Sequence, residues 1–235
     1  VTTTVTSRWI DIPADSDSFQ GYLALPKTGK GPGVIILQEI FGVNSHIRSV
    51  ADQYAADGYV ALAPDVFWRT QPRVELGYAG ADREKAMELL QKTDLEKAVA
   101  DVGAAASALR ALPEVSGQVA AIGYCFGGRL AYLAAAQGSI DLGVAYYGGG
   151  IQNQLDHADS IKVPMQFHYG ELDAHIPVSA VGEVRSRFAG RNDAEVHVYP
   201  NADHGFNCGD RASYNARASA LAHGRTLTFL GEHLR

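Results

Sequence analysis

The hexapeptide Gly123-Tyr124-Cys125-Phe126-Gly127-Gly128 stands between an apolar run, Gln118-Val119-Ala120-Ala121-Ile122, and a helix-like one, Leu130 to Ala136. Its spacing is that of the G-x-S-x-G turn, which exposes a nucleophile between a strand and the helix that follows, with cysteine in the serine position. Glycines two before and two after the cysteine let the turn close tightly. The backbone N–H of Phe126 would open the helix, where aligned peptide dipoles stabilise a developing negative charge. Taken alone, the six residues also fit a buried cysteine on a glycine-rich turn. The rest of the chain has to choose between the two.

Working outward, apolar runs bounded by Gly or Pro recur at Gly33 to Leu37, Tyr59 to Ala63, Val119 to Gly123, Leu142 to Tyr147, Met165 to Tyr169 and Ala194 to Tyr199. Near-continuous hydrophobicity of this length marks strands covered on both faces. Alternation in Arg8 to Ile12 and in Gln20 to Pro26 predicts an antiparallel pair ahead of them, with Asp15-Ser16-Asp17-Ser18 as a turn. Ser45 to Asp57 carries Ile47, Val50, Ala51 and Tyr54 at helical spacing. Thr93-Asp94-Leu95-Glu96 reads as a capping box that opens a helix running to Leu112, and Ala212 to Leu230 reads as a last helix. The alternation predicts an α/β fold: a mostly parallel sheet with an antiparallel N-terminal edge and helices on both faces. With no repeat, linker or low-complexity segment, residues 1–235 read as one domain.

Composition narrows the class. A net charge of −6 without a basic stripe argues against nucleic acid as a partner. No apolar run reaches the ~18 residues of a membrane span, and Val1 to Thr6 shows no basic-then-apolar leader. Two cysteines, Cys125 and Cys208, lack C-x-x-C spacing, which argues against a disulfide framework or a cysteine-rich zinc site. The expectation is a cytoplasmic monomer, its thiol kept reduced, with a small-molecule substrate and no cofactor or metal. Cys208 reads as a passive thiol.

An exposed nucleophile needs a base and an orienting acid at other strand ends, in the chain order nucleophile, acid, histidine. Asp173, in Gly170-Glu171-Leu172-Asp173-Ala174-His175-Ile176-Pro177, follows the run ending at Tyr169. His204, in Asp203-His204-Gly205-Phe206, follows the run ending at Tyr199-Pro200. Asp173 would fix the tautomer of His204 and stabilise its imidazolium. His175 and Asp203 are near rivals for these two roles. Sulfur also steers the chemistry. A free thiol of pKa ~8.5 is only slightly ionised at neutral pH yet strongly nucleophilic as thiolate. Thiolate is a better leaving group than an amine, so esters and lactones with stabilised leaving groups are favoured over amides.

These residues resemble the dienelactone hydrolase (carboxymethylenebutenolidase) family of the α/β-hydrolase superfamily. Gln38-Glu39-Ile40-Phe41-Gly42-Val43-Asn44 is similar to the family's loop after an early strand, and Ala63-Pro64-Asp65 to its next strand end. The hexapeptide, Tyr146-Tyr147-Gly148, Gly170 to Pro177 and His204-Gly205-Phe206 follow in register, and Thr226 to Leu230 resembles the last helix. The resemblance spans almost the whole chain. It implies an α/β-hydrolase fold and hydrolysis of carboxylated unsaturated lactones, dienelactone to maleylacetate, through a cysteine acyl-enzyme in aromatic or chloroaromatic catabolism.

It further implies that Glu39 associates with the Cys125 thiol at rest and moves when substrate binds, so that thiolate forms mainly with lactone present. A carboxylate beside a thiol disfavours the thiolate and guards it from oxidation. The N–H of Ile40 would join that of Phe126 as oxyanion donors. Arginines would hold the substrate carboxylate. Arg83 matches the first by its place before the long helix. Arg211 is the nearby residue for the second, with Cys208 in the closer position, and Met87 stands where some relatives have an aromatic. Phe41, Tyr147 and Phe206 are candidates to line the pocket, with Trp68 on the loop after Asp65. A carboxylesterase or thioesterase on the same fold, a non-catalytic ligand-binding relative and a redox-sensing Cys125 stay open beside this reading.

Overall fold

The structure, a computed structural model, describes residues 5–15 and 17–234. The leader reading at Val1 to Thr4 and the Ser16 position of the predicted turn lie outside them. An edge hairpin comes first, β1 (Thr6–Ala14) against β2 (Asp17–Leu25), both antiparallel. Ala14 pairs directly with Asp17, so Asp17 and Ser18 belong to the strand, not to the turn. Asp15 takes the left-handed backbone (φ 50°) that so short a connection demands.

Six more strands follow: β3 (Gly31–Leu37), β4 (Val60–Pro64), β5 (Val115–Tyr124), β6 (Leu142–Tyr146), β7 (Met165–Gly170) and β8 (Ala194–Tyr199). Among the described residues they complete one sheet in the order β1-β2-β4-β3-β5-β6-β7-β8. Only β1–β2 and β2–β4 are antiparallel; the remaining pairs are parallel. Every residue of β4, β6 and β7 is buried, as the unbroken apolar runs required of strands covered on both sides.

The helices are α1 (Ser45–Ala56), α2 (Gly80–Lys92), α3 (Leu95–Arg110), α4 (Phe126–Ala136), α5 (Val178–Arg187) and α6 (Ala216–His233). β6 shows that they cover both faces. A side chain at Gly143 would point at Met165 and the Ala131 carbonyl of α4. Tyr146, three residues on and therefore on the opposite pleat, meets the Thr226 hydroxyl of α6 at 2.8 Å. α1 joins α6 on that second face through Tyr54 and Asp57, which contact His223.

Two expectations need correction. Asp94, not Thr93, caps α3, accepting the Lys97 N–H at 3.1 Å, because the Thr93 hydroxyl is already spent on the Leu89 carbonyl at the end of α2. The last helix starts at Ala216, where the Asn215 side chain accepts the Ala218 N–H, and residues 211–215 form turns instead. Arg83 stands ahead of the long helix α3 and lies within a further helix, α2. That helix buries only Ala86 and Leu89, too sparse a stripe to show as periodicity, and α5 is equally thin with Val181 and Val184.

Under α6, the fully buried His168 joins three elements. Its Nε2 faces the Gln166 Oε1 at 2.9 Å and its Nδ1 meets the Tyr199 hydroxyl at 2.8 Å. The Gln166 amide nitrogen is committed to Glu195, so its oxygen can only accept, and Nε2 of His168 therefore carries the proton. Burial holds His168 well below the usual histidine range, with smaller contributions from His197 and Arg225. The unfolded chain takes up a proton here below pH ~6.5 while the fold does not, so this stability is complete above that pH and lost as pH falls. In denaturant titrations, the stability gap between the native chain and His168→Gln should narrow by ~1.4 kcal/mol between pH ~7.5 and ~5.5. A gap independent of pH would show that His168 is not the titrating group.

Candidate active site

Cys125 sits between β5 and α4 with φ 55° and ψ −114°, a left-handed conformation worth roughly 1–3 kcal/mol of strain for a non-glycine residue. Surrounding bonds enforce it. Its N–H donates to the Tyr146 carbonyl at 3.0 Å, and its own carbonyl accepts from Gly128 and Arg129 at 3.0 and 3.3 Å. The Gly127 N–H reaches across to the Gln38 carbonyl at 3.0 Å, tying the turn to the loop after β3. The two flanking glycines are required by close approach. A Cβ on Gly123 would lie 1.9 Å from the Gly127 carbonyl oxygen, and one on Gly127 2.3 Å from that of Leu37.

Two more strand ends bring the partners. His204, past β8, sets its Nε2 at 3.1 Å from the Cys125 Sγ and its Nδ1 at 2.7 Å from Asp173 Oδ2. Asp173, past β7, is 2% exposed, and its other oxygen accepts the N–H groups of His175 and Ile176 at 2.8 and 3.1 Å. Burial pushes the Asp173 carboxyl up, but the His204 hydrogen bond and charge and the two backbone donors outweigh it and leave it below the ordinary carboxylate range. Burial likewise opposes charge on His204, yet the hydrogen bonds to Asp173 and Cys125 and the negative charges of both raise it to about 10. The rivals fall elsewhere. Asp203 is exposed and accepts the backbone N–H of His204, while the exposed His175 offers only a ring edge, 5.4 Å from that of His204. Cys125, His204 and Asp173 thus form one hydrogen-bonded line able to take up, hold and return a proton.

Among the described residues, no backbone hydrogen bond outside the helices and strands uses the N–H of Ile40 or of Phe126. Glu39 departs from expectation. It does not engage the thiol. Its Oε1 accepts from Arg211 Nη1 at 2.9 Å, while Oε2 is buried without a partner among the described residues. A buried carboxylate gains more from a guanidinium than from a weak S–H donor, and the sulfur is already taken by His204.

Phe41 packs edge-on to Tyr78 at 4.6 Å, and the Arg211 guanidinium lies 5.9 Å from its ring. Tyr147 and Phe206 are fully buried and stack edgewise behind His204, so in this conformation they support its ring and do not line an open pocket. Arg83 is exposed in a shallow concavity with Glu84, Met87 and Gln91, and no hydrogen bond or ion pair among the described residues joins it to the cluster. Trp68 stacks on Phe19 and donates to the buried Asp101 at 2.8 Å, a structural assignment. Cys208 is fully buried, and burial with the Glu39 charge pushes its thiol up to about 11. Sequence reading passed over Asn44, whose amide donates to the Tyr78 hydroxyl at 3.0 Å and pins the strap before α2 onto the Glu39 loop. The two stand 34 positions apart, and no local pattern joins them.

A mostly parallel sheet with an antiparallel edge and a nucleophile elbow is the α/β-hydrolase fold. The chain belongs to the dienelactone hydrolase family, whose model matches residues 19–234. It is 36% identical over 217 residues to the carboxymethylenebutenolidase of Pseudomonas putida, with 92% of each chain covered. A candidate dienelactone hydrolase from Klebsiella pneumoniae superposes with a TM-score of 0.84 at 30% identity, covering 97% of this chain and 99% of that one. A dienelactone hydrolase-like promiscuous phosphotriesterase from metagenomic libraries does so at 0.82 and 25% identity, covering 98% and 99%.

The His204 ring, followed by nitrogen NMR, should hold both protons across neutral pH and lose one near about 10. In Asp173→Asn, where one negative charge and one charged hydrogen bond are gone, the midpoint should fall by roughly 1–3 units. An unchanged midpoint would break the pairing inferred from the distances.

Proposed function

We propose that this chain hydrolyses carboxylated unsaturated lactones, dienelactone to maleylacetate, through a Cys125 acyl-enzyme. The observation that carries the reading is the unbroken line from Asp173 Oδ2 through His204 to the Cys125 sulfur, at 2.7 and 3.1 Å. The relatives named carboxymethylenebutenolidase support the substrate class.

In this reading Cys125 attacks the lactone carbonyl as thiolate, and the oxyanion gathers the N–H groups of Ile40 and Phe126. Collapse breaks the ring C–O bond and expels an enolate, which conjugation stabilises and which takes the proton held by His204. Neutral His204 then removes a proton from water as it attacks the thioester, and the thiolate leaves. Asp173 holds the ring in register throughout. Arg211 anchors the substrate carboxylate from within the cluster, and Arg83 meets the anion further out. Phe41 contributes the apolar wall beside Arg211. The enzyme works in the cytoplasm as a monomer, in the catabolism of aromatic or chloroaromatic compounds, and needs no cofactor or metal. A broader carboxylesterase or thioesterase activity is the second reading. The exposed, unconnected position of Arg83 favours it, since only one arginine then sits inside the cluster.

Turnover of carboxymethylenebutenolide, followed by loss of its ultraviolet absorbance, should be fast for the native chain. It should fall by a factor of ~10³ or more in Cys125→Ala. Activity that survives in the variant would remove the nucleophile, whereas an inert native chain would move the substrate to the ester class. Arg83→Ala should raise KM a few-fold for the anionic lactone, about what one exposed charge contributes, and leave a neutral aryl ester unaffected. Equal losses on both would end its role with the anion.

A further inference from the structure

The strap before α2, residues 74–78, carries Tyr78 to the Arg211 guanidinium, and its place is closely set. The Leu76 N–H donates to the Phe41 carbonyl at 3.0 Å, and the Asn44 amide donates to the Leu76 carbonyl at 3.1 Å. Arg48 Nη1 joins Glu75 at 2.7 Å and donates to the Val43 carbonyl at 2.8 Å. The Gly77 N–H donates to Asp82 at the start of α2, at 2.7 Å. Gly42 lets the strap come this near. Its backbone is left-handed (φ 81°), and a Cβ there would fall 1.9 Å from the Val74 carbonyl oxygen.

Tyr78 ends the strap. Its ring packs edge-on to Phe41 at 4.6 Å, its hydroxyl accepts from Asn44 at 3.0 Å, and the buried Cys208 stands beside that hydroxyl. The phenol oxygen is thus engaged by the protein, and the ring is what remains to meet a ligand. The Arg211 guanidinium lies 5.8 Å from the Tyr78 centroid and 5.9 Å from that of Phe41. Glu39 holds its Nη1 at 2.9 Å. Gly205 backs it so closely that a Cβ there would fall 2.4 Å from Nη1 and 2.5 Å from Cζ. Two rings, a carboxylate and a stretch of backbone therefore wall the guanidinium in. Its Nε and Nη2 make no hydrogen bond among the described residues, and the side chain keeps 22% exposure, so these donors face a narrow opening.

A guanidinium binds a carboxylate in its own plane, as two matched forks. In a confined opening the ligand can extend only if the carbons next to the carboxylate stay flat as well. Methyl groups standing out of that plane would press on rings that the strap holds fixed, and overpacking of this kind is destabilising. Discrimination built on a clash needs no additional contact to the preferred ligand.

We propose that Tyr78 is a specificity-determining residue: with Phe41 it forms a fixed slot at Arg211 that admits a carboxylate conjugated to a flat carbon chain and excludes one borne on a branched, tetrahedral carbon. This rests on Arg211 anchoring the substrate carboxylate in the reading above, and it specifies the shape of that anion.

Tiglate and pivalate test the slot without turnover. Both are five-carbon monocarboxylates, the first flat and conjugated, the second branched and tetrahedral beside the carboxylate. In NMR titrations the native chain should bind tiglate about tenfold tighter or more, the lower range of what overpacking costs. Tyr78→Ala should bring the two within about threefold, by admitting pivalate. Tyr78→Phe, which keeps the ring and leaves the strap bonds in place, should retain the native preference. Gly42→Ala displaces the strap through the Val74 carbonyl and should lose the preference as Tyr78→Ala does. Arg211→Gln should weaken both anions by a similar factor, roughly tenfold, as a charged hydrogen-bond partner is lost. A preference that survives in Tyr78→Ala, or disappears in Tyr78→Phe, overturns the proposal. Binding of both anions that Arg211→Gln leaves unchanged overturns it too, because the ligands then sit elsewhere. A chain inert toward carboxymethylenebutenolide that still prefers tiglate, and loses the preference in Tyr78→Ala, would strike the lactone reading and support the slot.

Discussion

The approach of the β5–α4 turn to the end of β3 governs everything else at this site. With no side chain on Gly123 or Gly127, the turn packs directly against the Leu37 and Gln38 carbonyls, and the Gly127 N–H bond locks the two segments together. That one contact sets the Cys125 sulfur, the Phe126 and Ile40 N–H groups and the Glu39 side chain in a common frame. Gln38 extends the frame to a third strand end: its side chain donates to the Glu39 carbonyl and accepts the Val66 N–H just past β4. The left-handed backbone at Cys125 persists because its N–H, its carbonyl and its flanking glycines are all committed. Strain held in this way aims a side chain without needing it to be found by motion.

Where the sequence was legible, the reason was local. Buried parallel strands are nearly continuous in hydrophobicity, so the runs at β3 to β8 stood out, with ends shifted by a few residues at most. The elbow was legible because steric necessity leaves few residues that can occupy it. His204 and Asp173 followed from strand ends and chain order. Illegible features depend on distance in sequence. α2 and α5 each bury two side chains, and α2 lacks a side-chain cap. The Glu39–Arg211 pair spans 172 positions, and Gly205 gives no sign in sequence that its missing Cβ makes space for a guanidinium. Thr93 misled because two helices meet there and its hydroxyl serves the earlier one.

The site therefore contains two acid–base pairs of different character, each built on a buried carboxylate. In Asp173–His204 the base is an imidazole, which can accept and return a proton near neutral pH. In Glu39–Arg211 the base is a guanidinium, which stays charged at any accessible pH and can only compensate. Both acids are almost wholly buried, at 2% and 1% exposure, so neither charge would be tolerable alone. The first pair reaches the Cys125 sulfur, and the second compensates a buried carboxylate.

Burial also acts on the neighbouring groups. Around Glu39 stand Tyr78, Tyr124, Tyr147 and Cys208, each a conceivable acid, and each is pushed up out of the working range, chiefly by loss of solvent. His46 is pushed down and kept neutral by the same cause. His204 alone escapes, because two hydrogen bonds and two negative charges exceed its own desolvation cost. The apolar packing that stabilises the sheet thus also silences competing proton donors and acceptors. One ring is left to exchange protons with the thiol, and its selectivity comes from the pairing it was given, since its neighbours are just as deeply enclosed.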